Sequence, residues 1–308
     1  MIAVLIPCRD EETTVADVVV GFSSALPSAT VYVYDNGSTD STGQRAVEAG
    51  AVVRTETTPG KGSVVRRMFA DINADIYVLV DGDSTYDAAK APLMVSRLID
   101  HGLDMVVGAR SGIAMDAGRR GHAVGNRMFN SLYRSLFGSG VTDLLSGYRV
   151  FSRRFVKSFP AVFSGFEVET EMSVHAAQLQ LPVDEVEVPY RPRPDGSSSK
   201  LRSVVDGTNI LRAMFSLLKA NRPVALLGSI SGSFAAASVV LGAPVVTGFV
   251  STGLVERLPS AVLATGLAVL ALVSAVAGII MDSVARGRLE AKRLAYLAQP
   301  APSESRRG

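Results

Sequence analysis

The chain has 308 residues and a formal net charge of +2, which allows one large domain or two ordinary ones. Its single cysteine, Cys8, excludes an internal disulfide framework and fits a reducing compartment. Charged residues make up only 19% of the chain and the mean hydropathy is +0.26, which is unusual for a wholly soluble protein.

The apolar excess is concentrated in two stretches near the C-terminus. Residues 224–255 and 258–281 carry no charged side chain, and each is long enough to cross a bilayer as a helix of ~20 residues. Basic residues flank the pair on both outer sides, so the positive-inside rule places both flanks in the cytoplasm. Residues 1–7 lack the features of a signal peptide. We therefore expect a multi-pass protein of the inner (plasma) membrane with a cytoplasmic N-terminal domain.

The N-terminal part alternates apolar strands with amphipathic helices. The predicted strands are residues 2–6, 31–34, 51–54, 76–80 and 103–107. Such alternation predicts right-handed βαβ units and a mainly parallel α/β sheet.

Two carboxylates follow the fourth of these strands, Asp81 and Asp83, separated by Gly82. In an extended segment, side chains two positions apart point the same way, so both acids can reach one cation. Gly82 lets a bulky ligand approach the backbone. Paired carboxylates suit Mg²⁺ or Mn²⁺ held together with substrate phosphates, whereas a solvated acidic loop is the alternative.

Further polar residues follow the other strands. Glu11 and Asp35 are candidates for hydrogen bonds from a base or ribose, and Lys61, in Gly60-Lys61-Gly62, is a candidate for phosphate. Ordinary helix caps or solvated charges are the alternative for each. The first strand is not followed by G-x-G-x-x-G, and the chain has no G-x-x-x-x-G-K-[ST] loop, so a dinucleotide or P-loop site is excluded.

Four motifs together resemble those of family-2 glycosyltransferases with the GT-A fold. They are IPCRDEE at 6–12, DNGSTD at 35–40, GKG at 60–62 and DGD at 81–83. The resemblance implies that the first two loops bind a nucleotide and that Asp81 and Asp83 hold the metal on a sugar diphosphate. The implied nucleotide-binding residues are Pro7, Arg9, Glu11, Asp35, Gly37, Lys61 and Asp81. Many relatives have Tyr-Asn where this chain has Arg9-Asp10.

The second half resembles a narrower group. Asp143-Leu144-Leu145-Ser146-Gly147-Tyr148-Arg149 is similar to the Asp-x-x-Ser-Gly-Phe-Arg segment of dolichol-phosphate mannose synthases and bacterial polyprenyl-phosphate glycosyltransferases, and 165–171 and 190–201 extend the match. Before these segments, residues 111–121 form a candidate lid or a plain surface loop. Residues 122–137 are helical in pattern.

Residue roles follow from this resemblance. The implied catalytic residues are Asp83, Asp143 and Arg149, although Asp143 is alternatively a buried partner of Arg149. The candidate cations for the acceptor phosphate are Arg110, Arg127, Lys200 and Arg202, together with Arg149, and surface salt bridges are the alternative for each.

The expected layout is a GT-A domain at 1–200, an amphipathic interfacial helix at 201–222, a transmembrane hairpin at 223–284 and a basic cytoplasmic tail at 285–308. The expected reaction is inverting transfer of one sugar from a UDP- or GDP-sugar to a polyprenyl phosphate, with Mg²⁺ or Mn²⁺. No nucleic-acid partner is expected, and a homotetramer is plausible by resemblance. A different lipid acceptor and a non-catalytic membrane adaptor are the alternatives. Processive polysaccharide synthases of the same fold typically carry a Gln-x-x-Arg-Trp motif and more membrane spans. The chain has no tryptophan and two predicted spans, so this function is disfavoured.

Overall fold

The computed structural model describes residues 1–111, 141–193, 208, 212, 223–255 and 257–302. The strands are β1 Ile2–Cys8, β2 Ala29–Asp35, β3 Val52–Thr55, β4 Ile76–Leu79, β5 Met105–Ser111, β6 Arg149–Ser152 and β7 Val183–Pro189. The helices are α1 Val15–Ala25, α2 Thr42–Glu48, α3 Lys61–Asp71, α4 Ala91–Asp100, α5 Arg153–Ser158, α6 Val168–Leu179, α7 Pro223–Thr252 and α8 Leu258–Leu297, and a short 3₁₀ helix covers Ala88–Lys90.

The strands form one sheet in the order β3-β2-β1-β4-β6-β5-β7. All neighbouring pairs are parallel except those made by β6, which runs antiparallel to both β4 and β5. The predicted α/β fold with a mainly parallel sheet is confirmed. The five predicted strands correspond to β1–β5 with small shifts at their ends, whereas β6 and β7 were not predicted.

Both faces of the sheet are covered, because alternate side chains of β1 enter two separate apolar clusters. Val4 and Ile6 pack with α1 and α4 on one face, and Ala3 and Leu5 pack with α3, α5 and α6 on the other. A strand buried on both faces needs an unbroken apolar run, which explains the composition of β1 and β4. The helices therefore leave the carboxyl ends of β1, β2 and β4 as the edge on which polar loops gather.

Helices α7 and α8 are long and apolar enough to cross a membrane, by length and composition. They pack antiparallel through small residues: Ser231 Oγ donates to Ala271 O and Ser238 Oγ to Ala264 O, each at 2.8 Å. A Cβ added at Gly278 would lie 3.3 Å from Leu227 Cβ. Close approach at small residues and hydroxyl–carbonyl bonds are typical of helix pairs in lipid, so the hairpin forms two candidate membrane spans.

Helix α8 runs to Leu297, beyond the predicted boundary at 284, and its last residues group with the N-terminal unit. Tyr296 Oη donates to Asp104 Oδ2 at 2.8 Å, and the Arg154 guanidinium lies 4.9 Å from the centre of the Tyr296 ring. Lys292 Nζ donates to Gln178 on α6 at 2.8 Å. These contacts hold the end of α8 within the N-terminal unit. The predicted interfacial helix at 201–222 lies outside the described residues, apart from Thr208 and Arg212.

Candidate active site

The candidate site lies where β1, β2 and β4 end. Asp81 and Asp83 come after β4, Glu11 comes after β1, and Asp35 is the last residue of β2. These strands are parallel neighbours, so their carboxyl ends meet at one edge, the usual ligand position in open α/β sheets. The structure thus gathers at one edge the residues predicted to hold the metal and the nucleotide; that they bind these groups stays a prediction.

Asp83 is only 3% exposed, and both of its carboxylate oxygens are occupied. Oδ1 accepts from Thr85 Oγ1 at 2.6 Å and from Thr85 N at 3.2 Å. Oδ2 contacts the Arg193 guanidinium at 2.6 Å. Burial, together with the neighbouring charge of Asp81, raises the pKa of Asp83 although Arg193 opposes the shift. Asp83 is therefore a desolvated carboxylate that a positive charge stabilises.

Asp81 shares a lysine with a residue from a distant helix. The Lys61 ammonium contacts both Asp81 and Glu169, which lies in the first turn of α6. Burial alone would lower the pKa of Lys61, but the two carboxylates outweigh that effect and raise it. Lys61 is thus charged and bridges β4 to α6. Lys61 neutralises Asp81 and also holds the turn after β4 against α6. Its role toward a substrate phosphate stays a prediction.

Two glycines let the backbone of the Lys61 turn pack against the segment before α6. A Cβ at Gly60 would lie 2.2 Å from Ser164 O, and one at Gly62 would lie 2.1 Å from Phe163 O. Gly62 N also donates to Ser164 O at 2.9 Å. Real Cβ atoms do not approach backbone oxygens so closely, so only glycine fits at either side of Lys61.

The structure gives a reason for Gly82 besides the predicted approach of a ligand, which stays a prediction. A Cβ at this position would come within 2.5 Å of Cys8 Sγ, so the glycine accommodates a protein neighbour at the end of β1. Thr14 Oγ1 donates to Gly82 O at 2.7 Å. The turn between Asp81 and Asp83 is therefore packed against β1 and α1, which fixes the directions of both carboxylates.

The loops after β1 and β2 bind each other through short polar side chains. Asp10 adopts a left-handed conformation with φ of 49°, which Asn and Asp tolerate better than most residues. Its carboxylate accepts from Thr39 N at 2.7 Å, and its own N–H donates to Ser38 Oγ at 2.9 Å. Asp35 in turn accepts from Ser38 N at 3.1 Å. Asp10, which stands where many relatives have Asn, thus makes hydrogen bonds that hold the two loops together. The neighbouring Arg9 is exposed.

The predicted acceptor cation Arg110 and the predicted catalytic Asp143 form a two-point ion pair. Arg110 Nε and one terminal nitrogen donate to the two carboxylate oxygens at 2.7 and 2.8 Å, and Arg110 N donates at 3.2 Å. The guanidinium also lies 5.4 Å from the centre of the Tyr190 ring. Burial would raise the pKa of Asp143, but its bonds with Arg110 lower it. Among the described side chains, Arg110 forms the ion pair with Asp143.

Arg149, predicted to be catalytic, lies inside the protein. Its side chain is fully buried, and it donates to Ser146 O at 3.0 Å, to Leu144 O at 2.7 Å and to Ser173 Oγ at 2.9 Å. A guanidinium that satisfies backbone carbonyls inside the protein is not presented to a substrate phosphate. This geometry gives Arg149 a supporting role, in which it holds the loop that carries Asp143; its catalytic role stays a prediction.

That loop passes directly beside the metal-site candidate. A Cβ at Gly147 would lie 2.2 Å from Asp81 Oδ2, and Gly147 N donates to Tyr86 Oη at 3.0 Å. Ser146 Oγ donates to Gly108 O at 2.6 Å, which ties the loop to β5. The loop that carries Asp143 is thus packed against Asp81, which places the Asp143–Arg110 pair on the same side of the sheet edge.

Sequence reasoning missed three residues that contact the predicted ones. Glu169 and Arg193 contact Lys61 and Asp83 respectively, and Glu185 on β7 accepts from the backbone of Asp143. Glu169 and Arg193 lie in the segments 165–171 and 190–201, which extended the family resemblance. That resemblance was the sequence feature that could have identified them as site residues. The remaining predicted cations, Arg127, Lys200 and Arg202, lie outside the described residues, as do the candidate lid and the helix at 122–137.

The residues at the site fit a divalent cation held jointly with a substrate. Within the part of the chain that the structure describes, no group of three or more His, Cys, Asp or Glu side chains is placed to bind a metal alone. Asp81 and Asp83 offer two carboxylates, and Mg²⁺ is usually bound by one or two carboxylates plus substrate phosphates. Lys61 and Arg193 already place positive charge against these two acids, so the site is arranged for cations.

Comparison with known proteins agrees with this architecture. A family model described as glycosyl transferase family 2 matches residues 3–159. Glycosyltransferase AglJ of Haloferax volcanii is 36% identical over 243 residues, which cover 78% of this chain and 79% of that protein. Polyprenol monophosphomannose synthase of Mycolicibacterium smegmatis is 28% identical over 229 residues, which cover 69% of this chain and 83% of the relative.

Among solved structures, glucosyl-3-phosphoglycerate synthase from Mycobacterium tuberculosis in complex with Mn²⁺, uridine-diphosphate and glucosyl-3-phosphoglycerate has a TM-score of 0.60. It is 24% identical, and the match covers 71% of this chain and 80% of that one. At this identity the likeness shows the fold.

Proposed function

Because the chain belongs to glycosyl transferase family 2, we propose that it transfers one sugar from a nucleotide-diphosphate sugar to a polyprenyl phosphate at the cytoplasmic face of a membrane. The proposal rests on one combination: a carboxylate pair at the sheet edge, of which Asp83 is buried and Asp81 partly exposed, occurs in the same chain as two candidate membrane spans. The similarity to a polyprenol monophosphomannose synthase supports this acceptor class.

The proposed acceptor explains why the site requires no strong general base. A phosphate monoester has its second pKa near ~6, so it is largely a dianion at cytoplasmic pH. One of its oxygens attacks the anomeric carbon from the face opposite the leaving group, a C–O bond to the diphosphate breaks, and its electron pair leaves with the nucleoside diphosphate. The anomeric configuration is thereby inverted.

The protein must then place charges and hold geometry. Asp81 and Asp83 are the residues that would hold Mg²⁺ or Mn²⁺, which when bound would neutralise the leaving diphosphate. Lys61 supplies a further positive charge beside Asp81. Asp143 orients the Arg110 guanidinium through two hydrogen bonds, and a planar guanidinium suits phosphate oxygens. Arg110 therefore remains our candidate for the acceptor phosphate.

The test uses the full-length protein in detergent with Mg²⁺ or Mn²⁺, undecaprenyl phosphate and a panel of UDP- and GDP-sugars. Nucleotide release and the mass of the lipid product are followed. We expect a glycosyl-phosphoryl lipid from the wild type and its loss in Asp83→Asn. The matched control is Asp100→Asn, an exposed aspartate at the C-terminal end of α4, which retains activity.

Alternative acceptors separate the competing functions. Undecaprenol, diacylglycerol and phosphoglyceric acid are tested beside the polyprenyl phosphate. Transfer to an acceptor hydroxyl in preference to the phosphate would contradict the proposal and point to a different reaction. Absence of both transfer and metal-dependent nucleotide binding would favour the adaptor.

A further inference from the structure

Arg193 sits on the carboxylate that is the strongest metal-ligand candidate. One terminal nitrogen lies 2.6 Å from Asp83 Oδ2, and the other lies 3.8 Å from a Glu11 carboxylate oxygen. The guanidinium thus bridges the loop after β1 to the turn after β4. Since Asp83 Oδ1 is already bonded to Thr85, Oδ2 is the oxygen for which a cation and Arg193 compete.

The backbone sets this position of Arg193. Tyr190 N donates to Ser111 O at 3.0 Å, and Tyr190 pairs with Tyr86 in an isolated bridge. Arg191 N donates to Thr85 O at 2.9 Å. The chain is therefore held alongside the Asp83 turn up to two residues before Arg193, which brings its side chain to Asp83 without any ligand.

A divalent cation and this guanidinium compete for Asp83 Oδ2. Mg²⁺ binds carboxylate oxygens at about 2.0–2.1 Å, a distance that leaves no room for a hydrogen-bonded nitrogen on the same side. Two positive charges a few ångströms apart also repel strongly in a buried site. Lys61 differs, because its ammonium contacts Glu169 as well as Asp81. The contact with Glu169 would hold Lys61 in place if Asp81 coordinated a metal.

We propose that Arg193 is a built-in competitor of the divalent cation: it neutralises Asp83 in the free protein and must leave Asp83 Oδ2 before a metal binds there. This inference rests on the proposed function only in taking Asp83 as a metal ligand. It explains how the site stays closed to free cations. A sugar nucleotide arriving with its metal brings a diphosphate that can accept the released guanidinium, so metal and donor bind together.

The test measures binding of Mn²⁺ alone to the full-length protein in detergent, by the electron paramagnetic resonance signal of free Mn²⁺. Removal of the competitor in Arg193→Gln is expected to tighten Mn²⁺ binding by about tenfold or more, equivalent to about 1.4 kcal/mol. Arg193→Lys keeps the charge but loses the planar fork, so its gain is smaller. The matched control, Arg191→Gln, alters an exposed arginine two residues earlier and leaves Mn²⁺ affinity unchanged.

Mn²⁺ affinity in Arg193→Gln that is equal to or weaker than that of the wild type overturns the inference. So does a gain that persists when Asp83→Asn is added, because the metal then binds elsewhere. If Arg193→Gln does not fold, Arg193→Lys decides by the same measurement. A tighter Mn²⁺ site in a protein that transfers no sugar would uphold the competition and reject the proposed reaction, so the two failures are distinguishable.

Discussion

Replacing Arg149 by methionine separates a supporting role from a catalytic one. The change keeps much of the side-chain volume but removes the donors to Leu144 O and Ser146 O, two carbonyls inside the protein. A buried acceptor left without a partner costs about 1–3 kcal/mol, so we expect about 2–6 kcal/mol of lost stability. For a domain of this size, each kcal/mol lowers the melting temperature by about 2–4 °C.

The assay is thermal unfolding of the detergent-solubilised protein, followed by circular dichroism, beside the transfer rate at low temperature. Arg67→Met is the matched control, because Arg67 is exposed and its ion pair with Asp71 lies within α3; such pairs contribute little. We expect a large drop in melting temperature for Arg149→Met and almost none for Arg67→Met. An unchanged melting temperature with abolished transfer would refute this reasoning and restore the catalytic assignment.

Three further outcomes follow from contacts away from Arg149. Glu185→Ala removes the carboxylate that accepts hydrogen bonds from two backbone amides and a hydroxyl in the loop before β6. Amide hydrogen exchange in that loop and the KM for the polyprenyl phosphate should therefore rise. Glu187→Ala on the same strand is the control and should change neither. Burial lowers the pKa of His175 to about 3; since its unfolded pKa is near ~6.5, stability falls by about 1.4 kcal/mol per pH unit as pH drops from 6.5 toward 3. His175→Gln should flatten that dependence in pH-dependent melting, and an unchanged slope would contradict it. Gly82→Ala should weaken metal binding through its clash with Cys8 Sγ, and adding Cys8→Ala should restore it; failure of the double variant to recover Mn²⁺ binding would disprove the clash.

The sequence predicted the parts of the fold that depend on local pattern. β1 and β4 are apolar runs, and the polarity of a parallel sheet then requires the groups after them to share an edge, which located Asp81 and Asp83 correctly. β6 escaped prediction because it begins with Arg149. An arginine reads as a surface residue from sequence alone, and its burial depends on carbonyl partners supplied by the folded loop.

The site contacts that sequence did not reveal are long-range pairings. Lys61 and Glu169 lie on α3 and α6, and their meeting requires the segment before α6 to pack on two glycines. Periodicity and motif spacing carry no information about such a contact. The resemblance identified the segments containing Glu169 and Arg193, but only the folded chain shows which acid each charged group faces.

The charges of the site explain why the position of Arg193 matters. Among the described side chains, three ion-pair clusters meet there: Lys61 with Asp81 and Glu169, Arg193 with Asp83 and Glu11, and Arg110 with Asp143. With every group ionised, these three clusters hold five carboxylates and three cations, a net charge of −2. That charge favours a metal even without a donor. The guanidinium on Asp83 Oδ2 opposes that binding, so its removal should tighten Mn²⁺ binding while the charge balance also becomes more negative. Both effects have the same sign, which makes weaker Mn²⁺ binding in Arg193→Gln incompatible with this arrangement.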